Sequence, residues 1–181
     1  MRGLAGRGVL VSGGSSGIGL AAARRFLEER CRVFLCGLDP AEVDQAVSGL
    51  AEYGQVSGIS CDVSREADVA RLVASAEAAL GRVDVLANNA GTSVRSAFLE
   101  IPPREWDRII AVNLRGMFLV AQAVGRRMAE RRAGVIINMS STNGIAGEED
   151  YAHYNSSKGG VLLLTKTMAV ELGGLGIRSR A

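Results

Sequence analysis

Short apolar runs recur along the chain, and each gives way to a stretch in which apolar side chains return every three or four positions. The runs are GVLVS at 8–12, RVFLCG at 32–37, QVSGIS at 55–60, VDVLAN at 83–88 and GVIINMS at 134–140. Such brief, nearly unbroken apolar character predicts parallel strands covered on both faces. Helical periodicity occupies 17–30, 40–53, 65–80, 103–132 and 154–173. Strict alternation of strand and helix predicts right-handed crossovers and an α/β fold, a doubly wound parallel sheet in three α/β/α layers. In a sheet of this kind a ligand sits beyond the carboxyl ends of the strands, where the winding reverses.

The 181 residues are enough for one buried core and too few for two ordinary domains with a linker, so 1–181 reads as a single domain. Hydrophobic residues make up 48% and charged ones 22%, which excludes a disordered chain. A net charge of +2 provides no strong field that would draw the molecule to nucleic acid or an anionic membrane. No apolar run reaches the roughly 18 residues of a membrane span. The N-terminus passes directly into a strand pattern without a signal-peptide cleavage site, which reads as cytoplasmic. Cys31, Cys36 and Cys61 are odd in number and lack CxxC spacing, so buried thiols are expected and no metal site.

The first strand runs into Ser12-Gly13-Gly14-Ser15-Ser16-Gly17-Ile18-Gly19 and then a helix. Glycines permit a sharp turn and close approach of a phosphate, and the free amides of a helix start attract the anion. A glycine-rich turn with no ligand gives the same pattern. After the second strand, Gly37 supplies no carboxylate and Leu38 no cation, while Asp39-Pro40 suits either a ribose acceptor or the N-cap of the next helix.

Tyr154 and Lys158 are four residues apart, hence on one helix face, and lysine occurs elsewhere only at position 166. A cation beside a phenol favours phenolate, which is useful for exchanging a proton with an alcohol or carbonyl oxygen. Ser141, thirteen residues before Tyr154, follows the fifth strand and suits either a substrate hydrogen bond or a plain turn.

The Ser12-Gly-x3-Gly-x-Gly loop, Asp62-Val63, Asn88-Asn89-Ala90-Gly91, Asn113, Ser141 and Tyr154-x3-Lys158 occur together, and in this order the chain resembles the short-chain dehydrogenases/reductases over nearly its whole length. The resemblance implies a Rossmann-like fold and an NAD(P)-dependent oxidoreductase interconverting an alcohol and a ketone or aldehyde. It implies Tyr154 as general acid/base, Lys158 as the group that eases its ionisation and holds the nicotinamide ribose, Ser141 as the residue positioning the reacting oxygen, and Asn113 as support for a water-linked proton path. Gly13, Ser15, Ser16, Gly17, Ile18 and Gly19 would embrace the pyrophosphate, Asp62 and Val63 the adenine, and Asn88, Asn89, Ala90 and Gly91 would border the cofactor. Ser16 and Leu38 lack the basic character of phosphate-selecting members and Gly37 lacks the acid of the others, so NAD or NADP stays open.

The family would continue through a sixth strand into a proline-glycine turn, whereas here the sequence reads Ser179-Arg180-Ala181. The expectation is a fold lacking its last strands, with the fifth strand as an exposed edge. A second reading of function is accordingly a catalytically inactive nucleotide-binding fragment or the truncated product of a reductase gene. The resemblance further implies a homodimer through two helices, with Met117, Phe118, Val120, Ala121 and Val124 on one and Val161, Leu162, Leu164, Thr165, Met168 and Ala169 on the other, unless these merely cover the sheet. His153 reads as a surface neighbour of Tyr154, Glu148-Glu149-Asp150 as a solvated loop, and Arg126, Arg127, Arg131 and Arg132 as cations at a helix C-terminus.

Overall fold

A computed structural model describes residues 3–181. Six strands, β1 (Gly8–Ser12), β2 (Arg32–Gly37), β3 (Val56–Ser60), β4 (Val85–Asn88), β5 (Gly134–Asn138) and β6 (Ile177–Arg180), form one sheet in the order β3-β2-β1-β4-β5-β6. All neighbours are parallel. Six helices connect them: α1 (Gly17–Glu28), α2 (Pro40–Leu50), α3 (Glu66–Leu80), α4 (Pro103–Ile110), α5 (Met117–Glu130) and α6 (Ala152–Gly173).

Alternation along the strands sorts the core into two halves. Val9, Val11, Val33, Leu35, Val85 and Ala87 pack with Ala23 and Leu27 of α1 and Val43, Ala46 and Leu50 of α2. Leu10, Phe34, Leu86 and Ile136 point the other way, onto Leu72 and Ala76 of α3 and Val120, Val124 and Met128 of α5. Because successive strand side chains face opposite sides, both helical layers are specified by the same short apolar runs.

The expectation that β5 forms the sheet edge is corrected. Ile177–Arg180 pairs with β5, from Gly134↔Ile177 to Ile137↔Arg180, so the edge is β6. Ile177 anchors it at 1% exposure, while Arg178 and Arg180 face outward. The three-layer expectation is met, with α1 and α2 over one face and α3 and α5 over the other, and β4 buried on both through Val85 and Ala87 on one side and Leu86 on the other. On the α1/α2 side of β5, Ile137 is 38% exposed.

The expected 103–132 helix is one helical run from Pro103 to Glu130, interrupted by a π-helical turn at Ala111–Gly116. This run is long and apolar enough to cross a bilayer by length and composition, contrary to the sequence reading. Its apolar face is occupied, since Ile109, Met117, Val120, Ala121, Val124 and Met128 are each at most 2% exposed. The same burial corrects the interface expectation for Met117, Val120, Ala121 and Val124, which belong to the core. In α6, Val161 and Thr165 are buried too.

Candidate active site

At the point where β1 and β4 lie side by side, the chains leaving them diverge and open a cleft of about 900 Å³. Gly13, Ser15, Ser16 and Ile18 line one wall, Asp62, Val63, Asn89, Ala90 and Gly91 the floor and the adjoining rim, and Ser140, Ser141, Tyr154 and Lys158 the other end. Gly17, Gly19 and Asn113 are off its surface. Gly13 and Gly17 adopt positive φ, +64° and +53°, which explains why side chains are absent there. A Cβ on Gly19 would meet the Gly13 carbonyl oxygen at 1.9 Å, so Gly19 serves the packing of α1 against the loop. Ser16 starts α1 without a side-chain cap, and the first backbone bond runs from Leu20 N–H to the Ser16 carbonyl, leaving the helix start facing the cleft.

The loop after β4 is tied to the loop after β1 by one hydroxyl. Ser12 Oγ donates to Asn88 Oδ1 at 3.0 Å and accepts from the amides of Asn89 (3.0 Å) and Ala90 (3.1 Å), while Asn89 Nδ2 donates to the Gly13 carbonyl at 3.0 Å. Asn88 is 1% exposed and does not border the cleft, a correction to the expectation. Its Nδ2 donates to Asn138 Oδ1 (3.1 Å) and the Met117 carbonyl (2.8 Å), and Asn138 Nδ2 continues to Thr165 Oγ1 (2.9 Å). This buried polar chain from β1 to α6 was missed from sequence; asparagine at the end of an apolar strand was its only signal.

Asn113 occupies the π-helical turn, where the locally wider winding aims its amide at the β4 loop. Its Oδ1 accepts from Thr92 N–H and its Nδ2 donates to the Thr92 carbonyl, both at 2.8 Å, with a further contact to Ser157 Oγ at 3.2 Å. Ser157 Oγ in turn donates to the Tyr154 carbonyl at 2.7 Å. Asn113 thereby joins the loop after β4 to the first turn of α6.

Lys158 is 3% exposed, its Nζ donates to the Met139 carbonyl at 2.8 Å and stands 5.6 Å from the Tyr154 ring centroid. Burial pulls its ammonium below the usual lysine range. Ser140 is committed to the Lys158 carbonyl at 3.0 Å, whereas Ser141 caps the short turn Thr142–Gly144, accepting from Asn143 N–H at 3.2 Å and donating to Asn143 Oδ1 at 3.0 Å. Asn143 Nδ2 reaches Glu148 Oε2 at 2.8 Å and Asn155 Oδ1 at 2.9 Å, so Glu148 braces this turn rather than only meeting solvent.

His153 is fully buried, correcting its surface assignment. The helix begins at Ala152, two residues earlier than the pattern indicated, and turns His153 inward toward Glu105 of α4. Asp39 accepts from Ala41 N–H (2.7 Å) and Glu42 N–H (3.3 Å), which settles that it is the N-cap of α2. Cys31, Cys36 and Cys61 are buried free thiols, and no metal-binding cluster occurs among the described residues.

Residues 7–181 match the family model of the short chain dehydrogenases. The chain belongs to the short-chain dehydrogenase/reductase family. It is 36% identical over 174 residues to 2-(S)-hydroxypropyl-CoM dehydrogenase 3 of Xanthobacter autotrophicus, covering 96% of this chain and 68% of the relative. It is 35% identical over 176 residues to D-threitol dehydrogenase of Mycolicibacterium smegmatis, with 97% and 68% covered. Among solved structures, NAD+-bound xylitol dehydrogenase superposes with a TM-score of 0.95 at 32% identity over 98% of this chain and 69% of that one. Like its dehydrogenase and reductase relatives, this short-chain dehydrogenase/reductase is an oxidoreductase of Rossmann-like fold.

Proposed function

We propose that the chain is an NAD(P)-dependent oxidoreductase that interconverts a small secondary alcohol and its ketone, or a primary alcohol and its aldehyde, in one nucleotide-binding unit spanning 1–181. The observation that carries this reading is a single cleft bringing Tyr154, Lys158 and Ser141 to one end and the glycine loop to the other. The cleft suits a dinucleotide: its volume is of the order found for cofactor sites, the uncapped start of α1 presents amides, and the serines and glycines of the loop leave room for phosphate oxygens.

Bound NAD(P) supplies the two-electron acceptor or donor. The protein's part is binding, orientation and proton movement. The phenol of Tyr154 exchanges a proton with the substrate oxygen, and Lys158 stands beside it in the cleft, its Nζ 5.6 Å from the ring centroid. Ser141 retains acceptor and donor capacity for the substrate oxygen by giving up its contact with Asn143 Oδ1. Ser157 and Asn113 hold the turn that carries Tyr154, and no water-linked path is needed for that role.

The test is turnover of a panel of ketones and secondary alcohols with both cofactors, alongside Tyr154→Phe. Turnover lost in the variant with cofactor binding retained supports the assignment; full rate in the variant overturns it. Saturable nucleotide binding without turnover of any substrate by the unaltered chain favours the inactive-fragment reading.

A further inference from the structure

The cleft has no cation at the end where the second strand meets α2. Its basic lining residues, Arg108 and Lys158, stand at the other end, on α4 and α6. Beside Ser15, Ser16, Gly37, Leu38 and Asp62, the other carboxylate among the described lining residues is Glu42, on the first turn of α2, and it accepts from Ser15 Oγ at 3.4 Å. We infer that Glu42 is a specificity-determining residue, accepting from the hydroxyls of an adenosine ribose and excluding a 2′-phosphate, so that the chain selects NAD(H) over NADP(H).

Three observations support the assignment, which rests on the nucleotide reading given above. First, an acid cannot be supplied from position 37, where a Cβ would stand 2.3 Å from Ser15 Oγ and 3.1 Å from Val43 Cγ2. The residue that reaches this corner must come from the neighbouring helix, and Glu42 does. Secondly, the amides that a helix start would offer a phosphate are taken: Pro40 has no N–H, and those of Ala41 and Glu42 are bonded to Asp39 Oδ1. A 2′-phosphate would therefore meet the Glu42 carboxylate and no free donor among the first three residues of α2. Thirdly, Arg24, which lines the adjoining groove between α1 and α2 with Ser15, Ser16 and Glu42, is turned toward other partners. It lies 4.4 Å from the Tyr53 ring centroid, and its Nε donates to Glu28 Oε1 at 3.0 Å. A ribose diol, by contrast, replaces the Ser15 hydroxyl at Glu42 with a charge-assisted hydrogen bond.

Fluorescence titration of the chain with NADH and NADPH reads this directly. Competition by adenosine 5′-monophosphate against adenosine 2′,5′-bisphosphate reads the same corner without the nicotinamide end. NADH should bind on the order of tenfold more tightly, the size of one uncompensated charge contact at a solvent-open position. Glu42→Gln should narrow the gap, and Glu42→Arg should reverse it, with circular dichroism unchanged because the side chain is exposed. Equal or tighter binding of NADPH by the unaltered chain, or a preference unmoved in both variants, overturns the inference while leaving the nucleotide reading intact. Absence of saturable binding by either cofactor and either adenosine phosphate overturns both.

Discussion

The backbone N–H of Tyr154 donates to Nδ1 of the preceding residue, His153, at 3.0 Å. Since Nδ1 accepts, the proton of the neutral ring is on Nε2, which points at Glu105 Oε1 3.3 Å away; Glu105 also accepts from Ser96 Oγ at 2.6 Å. A line of contacts thus runs from the loop after β4 through α4 to the amide of the proposed acid/base. Those contacts hold the Glu105 carboxyl below its ordinary range, chiefly through the Ser96 hydroxyl.

His153→Phe keeps the bulk and removes both hydrogen bonds. It should cost about 2 kcal/mol in urea unfolding, as expected when a buried polar network loses its central member. Turnover should fall with KM nearly unchanged, because the tyrosine rather than the substrate pocket loses its support. His153→Asn, whose Oδ1 can accept near the position of Nδ1, should restore part of the rate. A phenylalanine variant with full turnover would show that the histidine only fills space.

Lys158 gives a pH signature of the same sign as that of a paired carboxylate, since both groups are lowered on folding, but at the alkaline end of the scale. Burial lowers its ammonium relative to the ordinary lysine value of 10.5, so the folded chain binds fewer protons than the unfolded one between the lowered value and 10.5. Stability attributable to this residue is complete above 10.5 and is lost as pH falls through the folded value. Lys158→Met should therefore compare best with the parent at neutral pH, and the parent should gain on it as pH rises toward 10.5. Melting temperatures across that window decide the matter, and a gap that stays constant would contradict the burial argument.

Asn138 connects Asn88 on β4 with Thr165 on α6. Asn138→Ala should destabilise by about 2–3 kcal/mol, since it strands two buried polar partners as well as opening space. A double-mutant cycle with Thr165→Val should show coupling of about 1 kcal/mol, and strictly additive losses would mean the two side chains act independently.

Assembly as a homodimer through α5 and α6 requires apolar groups on their outer faces. Phe118 is 40% exposed, Leu163 66% and Val170 83%. Leu163 and Val170 are seven residues apart and share one face of α6. Size exclusion with light scattering should give a dimer, and Leu163→Glu with Val170→Glu should give a folded monomer. A stable monomer of the unaltered chain across micromolar concentrations would defeat the expectation.

Periodicity alone determined the order of strands and helices, because each strand from Gly8–Ser12 to Gly134–Asn138 is short, apolar and followed by a helix with its own repeat. The glycine loop and the Tyr154/Lys158 pair were legible for a similar reason: their chemistry depends on residues adjacent or one helical turn apart. The sixth strand, IRSR, was not, since its alternation is half charged and only the register with β5 makes it a strand. Asp39 was ambiguous until the hydrogen bonds to Ala41 and Glu42 fixed it as a cap. Tertiary structure alone decided the bonds of Glu105 to His153 and of Asn88 to Asn138, whose partners are 48 and 50 residues apart. A pattern along one element reports which face is buried; it carries no record of which polar group on another element will be waiting there.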